Sequence, residues 1–168
     1  MKRLGSRAQK WLKGLHVVFA CMWVGAAICL SVKQFFVNPT NGGELYGILT
    51  TMDFIDIYII IPGAFGVLLT AVIYSTWTNW GWFKHNWIIV KWIICIYGII
   101  FGIYPLGPWM TEMVHISKDA GLGALSNPTL LHNQKMLYIF GTCQAMTLLF
   151  AVFITCLKPW KRRKAGHL

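Results

Sequence analysis

The chain has 168 residues, of which 57% are hydrophobic and only 12% are charged. This balance excludes an ordinary soluble domain and predicts a polytopic membrane protein with a single domain over residues 1–168. The net charge of +10 does not indicate nucleic-acid binding, because the basic residues flank the apolar segments, where membrane topology accounts for them.

The first predicted helix covers residues 11–36, an apolar run long enough to cross a bilayer. We interpret it as a retained membrane helix, since the run is too long for the apolar region of a signal peptide. His16 lies well inside this run. A ring nitrogen in hydrocarbon needs a partner, so His16 is a candidate functional residue. Trp23 follows about two turns later on much the same face.

Three further helices complete an all-α integral membrane four-helix bundle. They are predicted over roughly residues 53–76, 87–110 and 136–157. Pro62 and Gly63 predict a kink or a loosened turn in the second helix, which membrane helices tolerate when neighbours satisfy the freed carbonyl. Polar loops are expected before the second helix and, as the longest loop, over residues 111–134.

The orientation of the bundle follows from its charges. Eleven Lys and Arg residues flank one side: Lys2, Arg3, Arg7, Lys10, Lys13, Lys84, Lys158, Lys161, Arg162, Arg163 and Lys164. The five acidic residues belong to the other side: Glu44, Asp53, Asp56, Glu112 and Asp119. Because cytoplasmic loops of membrane proteins are enriched in Lys and Arg, both termini are predicted in the cytoplasm.

Helix geometry predicts that His16 and Lys91 lie at one depth. Each follows closely the Trp that begins its helix, and both helices enter from the cytoplasmic side, so both groups lie about 6–8 Å inside. Trp23 and Gly98 share the faces of His16 and Lys91, which makes them candidate cofactor contacts in a slot between the helices. In the simpler alternatives Lys91 extends to the headgroups, and His16 packs against a carbonyl or a threonine.

The segment Trp11-Leu12-Lys13-x-Leu15-His16, followed by Trp23 and Gly25, resembles the first helix of the membrane-bound, four-helix protoporphyrinogen IX oxidases of bacteria. Trp87-x-x-Val90-Lys91 resembles the helix that carries the lysine of that family. The resemblance implies a bacterial inner-membrane protein in which His16 ligates the iron of haem b and Lys91 is a catalytic residue beside it. Residues 59–63, IIIPG, are more similar to predicted membrane proteins related to the copper-resistance membrane domain.

A second polar cluster is predicted on the external side. Its members are Asp53, Asp56, Glu112, His115 and His132. Asp53 and Asp56 share a face because they are three residues apart on a helix. Carboxylates with imidazoles suit a divalent metal, a second haem or a proton entry path. A solvated rim with a few ion pairs is the simpler alternative.

These features lead to one main functional hypothesis and two alternatives. The main hypothesis is a b-type haem oxidoreductase in the lipid bilayer that oxidises a porphyrinogen or exchanges electrons with quinone. In the first alternative, a small cation or metal transporter, the external cluster captures the cation and His16 with Lys91 forms an inner gate. In the second, the chain is a non-catalytic subunit of a larger membrane complex or a homo-oligomer.

Overall fold

The computed structural model describes residues 4–78 and 81–158, and over these ranges the chain is helical without strands. The described residues form four long helices: α1 (Ser6–Phe36), α2 (Gly42–Trp77), α3 (Asn86–Ala120) and α4 (Pro128–Leu157). Each of them is long and apolar enough to cross a membrane. The predicted all-α architecture with four membrane-length helices is confirmed.

Three of these helices are interrupted by a π-helical turn. The turns are Asp56–Ile60 in α2, Gly102–Leu106 in α3 and Leu137–Gly141 in α4. The flanking α-helical segments are Gly42–Ile55 and Ile61–Trp77, Asn86–Phe101 and Gly107–Ala120, and Pro128–Met136 and Thr142–Leu157. A proline lacks the backbone N–H that continues an α-helix, and Pro62 and Pro105 lie beside and within the first two turns.

The helices extend further than the sequence predicted, at the end of the bundle opposite the start of α1 and the end of α4. The expected loop before the second helix is helical from Gly42, and the expected loop over residues 111–134 contains the end of α3, a 3₁₀ segment (Gly121–Ser126) and the start of α4. Asn41 caps α2 by accepting a hydrogen bond from the Glu44 amide at 2.9 Å. A helical spacing of apolar residues buries one face of this extension.

This extension has a hydrophobic core of its own. Its buried members are Leu45, Leu49, Met52, Met110, Met113, Ala124, Leu130 and Leu137. They come from α2, α3, the 3₁₀ segment and α4, so the polar segments fold back on one another instead of forming loops. These segments are polar on average, but the burial of their apolar side chains from water stabilises the folded arrangement.

The helices alternate in direction, and the two ends of the bundle differ in charge. We call the end with the start of α1 and the end of α4 the basic end, and the opposite end the acidic end. Arg7, Lys10, Lys13, Lys84 and Lys158 lie at the basic end. The other predicted flanking residues, Lys2, Arg3, Lys161, Arg162, Arg163 and Lys164, lie outside the described residues.

The backbones of helices α1 and α2 approach each other closely at Gly63. A Cβ atom added to Gly63 would lie 2.9 Å from the backbone nitrogen of Trp23 and 3.1 Å from the carbonyl oxygen of Phe19. Glycine is therefore required for this backbone-to-backbone approach. The contact brings the basic-end halves of the two helices together, with His16 facing Thr70.

Candidate functional site

A cavity of about 360 Å³ lies between the helices at the basic end. We call it the basic-end cavity. Side chains from all four helices line it, among them His16 of α1, Tyr74 of α2, Lys91 of α3 and Thr155 of α4. Its volume falls within the range of about 300–1,000 Å³ that small-molecule sites occupy in proteins.

The hydrogen bond between His16 and Thr70 fixes the state of the imidazole. His16 Nδ1 lies 2.7 Å from Thr70 Oγ1, and the same oxygen lies 2.6 Å from the Gly66 carbonyl oxygen. The hydroxyl has one proton, and two carbonyl oxygens that can only accept lie within reach of it, those of Gly66 at 2.6 Å and Val67 at 3.0 Å, so we assign this proton to the backbone of α2 and the Nδ1 proton to His16. Nδ1 therefore carries the ring proton of a neutral His16, and Nε2 keeps a lone pair. An imidazole in this state can bind a metal ion.

The charges around the cavity are all positive. Lys13, Lys91 and Lys158 line it, and no Asp or Glu occurs among its lining residues in the described part of the chain. The Lys91 ammonium lies 5.8 Å from the centre of the Trp87 ring, a cation–π contact that keeps the charge at the cavity wall. A positively charged cleft with apolar walls favours an anionic ligand.

Aromatic rings form much of the remaining wall. Trp92 lines the cavity and stacks on Trp82, with ring centres 5.0 Å apart and planes at 14°. Tyr74 meets the His16 ring edge-on, with centres 6.1 Å apart. These contacts hold the imidazole and the tryptophan rings in fixed orientations, which suits a flat apolar ligand.

The four predicted cofactor contacts fall into two pairs, and each pair lines a different cavity. His16 and Lys91 line the basic-end cavity. Trp23 lies deeper and is only 3% exposed, and its ring packs against Gly98. Trp23 and Gly98 line a second cavity of about 80 Å³, which we call the middle cavity. A buried layer that includes Trp23 and Cys95 lies between the two.

In the described part of the chain, the members of the predicted external cluster do not converge on a metal site. Asp53 accepts a hydrogen bond from the Thr111 hydroxyl at 3.3 Å, and Glu112 accepts one from Asn133 Nδ2 at 2.7 Å. His115 and His132 are exposed, and Asp56 lines the middle cavity instead. Over residues 4–78 and 81–158, no three His, Cys, Asp or Glu side chains converge in a way that could hold a metal ion. Helix α2 turns Asp56 toward the middle cavity.

Sequence reasoning missed three kinds of site residue. Thr70 follows Gly63 and Gly66 on the face of α2 that approaches α1, so the glycine spacing was a usable signal. Lys13 and Lys158 were interpreted only as topology signals, although both line the cavity. Gln144 of α4 donates a hydrogen bond to the Gly98 carbonyl of α3, and its position in the middle cavity had no sequence signal.

Comparison of the chain with known proteins found no match. The chain matches no family model, no curated protein and no solved structure. The chemistry of the two cavities therefore carries the functional interpretation.

Proposed function

We propose that the protein is a b-type haem-binding redox protein of a membrane, with the haem in the basic-end cavity and His16 Nε2 as an iron ligand. The hydrogen bond from His16 Nδ1 to Thr70, at 2.7 Å, carries this proposal. Histidines that bind metals usually donate their other ring N–H to a protein acceptor, which fixes the ring and its tautomer. The resemblance of the first and third helices to the bacterial oxidases supports the same proposal.

The residues present fit a haem. Its flat, apolar ring suits the walls formed by Trp87, Trp92 and Tyr74, and its two propionates suit a cavity lined by Lys13, Lys91 and Lys158. An acid in the lining would oppose the propionates, and the described lining contains none. The imidazole, the cations and the aromatic walls thus meet in one cavity.

When bound, haem would supply one-electron redox chemistry. Thr70 orients His16 and keeps Nε2 unprotonated. Lys91 provides a positive charge that favours the state with the extra electron. Trp23, packed on Gly98, closes the deep end of the cavity against water, so an electron donor such as a porphyrinogen or a quinol would approach from the basic end.

The transporter alternative is less well supported at this cavity. A cation that crossed the bundle would meet Lys13, Lys91 and Lys158 together at the basic end. Three like charges around one cavity form an electrostatic barrier to cations. The geometry therefore favours a bound anionic cofactor over a cation exit.

Electron transfer tests the proposed function directly. We expect a quinol or a porphyrinogen, mixed anaerobically with the haem-loaded protein in nanodiscs, to reduce the haem, followed by absorbance in a stopped-flow instrument. Lys91→Met should retain haem but react about tenfold more slowly, the effect of a loss of about 1.4 kcal/mol of transition-state stabilisation. Lys118→Met, exposed near the end of α3, is the matched control and should react like the parent.

Two results would contradict the proposal. In the first, dithionite reduces the bound haem but neither donor does, which would leave a haem protein without the proposed redox partners. In the second, Lys91→Met reacts at the parent rate, which would remove Lys91 from the function.

A further inference from the structure

The middle cavity has mostly apolar walls with a few polar side chains, Ser31, Gln34, Asp56 and Gln144, and residues of all three π turns line it. Asp56 and Ile60 of the first turn, Gly102 of the second and Gly141 of the third all line it. Its volume of about 80 Å³ exceeds the space that one water molecule needs. π-helical turns frequently mark functional sites, because they re-aim side chains and backbone carbonyls.

The Gln144 side chain leaves an unpaired oxygen at this cavity. Gln144 is only 6% exposed, and its Nε2 donates to the Gly98 carbonyl oxygen at 3.1 Å. A flipped amide would set two oxygens against each other, so the bond to Gly98 fixes which atom is Oε1. That buried oxygen has no hydrogen-bond partner in the described part of the chain. A buried acceptor of this kind calls for a donor or a cation.

The Asp56 carboxylate is likewise unpaired. Within the described residues it has no salt bridge or hydrogen bond, and the neighbouring charge is another carboxylate, Asp53. Among the described residues, no Lys, Arg or His lines the middle cavity. The lysine of this region, Lys33, lines a separate cavity nearer the acidic end and donates to the Ile48 carbonyl at 3.1 Å. A carboxyl group among apolar helices needs either a proton or a neighbouring positive charge.

We propose that the middle cavity binds one small monovalent cation, such as Na⁺, between the Asp56 carboxylate and Gln144 Oε1. Ser31 also lines the cavity; its hydroxyl donates to the Ala27 carbonyl at 2.8 Å and keeps lone pairs for a ligand. One carboxylate with neutral oxygens matches a single positive charge, whereas divalent cations prefer several carboxylates. Membrane transporters bind Na⁺ with backbone carbonyls of interrupted helices near the bilayer midplane, a similar setting.

The cation would enter from the acidic end. The acidic-end cavity, of about 60 Å³, shares Gln34, Met52 and Leu137 with the middle cavity. On the opposite side Trp23 separates the middle cavity from the three lysines of the basic-end cavity. The site thus goes beyond the proposed haem function and is distinct from it in position.

Cation binding can be measured on the full chain in nanodiscs, without haem. We use ²³Na NMR line broadening and thermal unfolding in NaCl against choline chloride at equal ionic strength. The parent should bind one Na⁺ per chain, with broadening beyond empty nanodiscs. Asp56→Asn should weaken binding about tenfold or more, as for the loss of a charged ligand, and Gln144→Leu by a smaller factor. Asp119→Asn removes an exposed carboxylate outside the cavity and should bind like the parent.

The proposal fails if the parent shows no saturable response to Na⁺ beyond that to choline, the result expected if Asp56 only carries a proton or the cavity holds only water. It also fails if folded Asp56→Asn keeps the parent affinity. If Asp56→Asn does not fold, Gln144→Leu decides, because an unchanged affinity there would exclude the amide oxygen as a ligand. If neither variant folds, the number of Na⁺ ions bound per parent chain decides, and a value other than one contradicts the proposal.

Discussion

At the residue scale, Thr70 determines what His16 can do. An imidazole in an apolar helix can pack or can bind a ligand, and a threonine partner is compatible with both. What favours ligand binding is that Thr70 donates to Gly66 and therefore accepts from His16 Nδ1, which leaves Nε2 unprotonated in a residue that lines the cavity.

Replacing Thr70 tests this assignment. Thr70→Val keeps the shape of the side chain but removes the acceptor for His16, so the ring loses its fixed tautomer and orientation. We expect haem affinity, measured by absorbance titration, to fall about 10- to 100-fold, as for other partners of metal-binding histidines. Thr76→Val is the control, because Thr76 is exposed on the same helix and donates only to the Val72 carbonyl. An unchanged affinity in Thr70→Val would show that the bond has no role in the site.

At this scale the sequence predicted the shared depth of His16 and Lys91 but not which other residues share their cavity. The positions of His16 and Lys91 near the starts of two parallel helices placed them in one cavity. Trp23 and Gly98 were grouped with them because they share the same helix faces. Seven residues of helix raise a side chain by about 10 Å, so residues on one face can belong to different cavities.

At the element scale, the interrupted helices shape both cavities. Pro62 indicated an irregular turn in α2, and the structure has a π turn that ends two residues before it, at Ile60. Pro105 gave the same signal in α3 and was overlooked. The turn Leu137–Gly141 in α4 contains no proline and had no sequence signal.

The close contact at Gly63 holds α1 and α2 in the register that pairs His16 with Thr70. Gly63→Ala would place a methyl group against the backbone of α1, which cannot move locally, so the helices must separate. We expect a loss of about 1–3 kcal/mol in the free energy of unfolding, the usual cost of overpacking. Thermal unfolding followed by circular dichroism in one detergent measures it, and haem affinity should fall with it.

Gly47→Ala is the matched control for this change. Gly47 lies on the exposed surface of the same helix, and nothing lies within 4 Å of an added Cβ. Alanine stabilises a helix by up to about 1 kcal/mol relative to glycine, so this variant should unfold at or above the parent temperature. If both variants unfold alike, the Gly63 contact does not hold the two helices in register.

At the scale of the whole molecule, charge and cavities are arranged along one axis. The basic-end cavity of about 360 Å³ is lined by lysines, and the middle cavity of about 80 Å³ by Asp56 and Gln144. The composition and the apolar runs predicted the four helices, because burial from water dominates over that length. The acidic-end core was not predictable from polarity averages, since its apolar residues recur only at helical spacing.

The charge asymmetry predicts how the bundle lies in a membrane. A reporter fused after Leu168 should be active only if it requires the cytoplasm, and one fused after Asn127 only if it requires the external side, because Lys and Arg stay on the cytoplasmic side. Activity of the two fusions in bacterial cells measures this. The reverse pattern would place the lysine-lined cavity on the external side and remove its access to cytoplasmic electron donors.

The central claim is that the basic-end cavity binds haem through His16, and a haem titration of the full chain in nanodiscs tests it most directly. We expect a saturable Soret band with a defined stoichiometry in the parent and a strong loss of it in folded His16→Ala. His132→Ala, an exposed histidine at the acidic end, should titrate like the parent. If the parent takes up haem only as empty nanodiscs do, or if His16→Ala gives the parent spectrum and affinity, the claim is wrong.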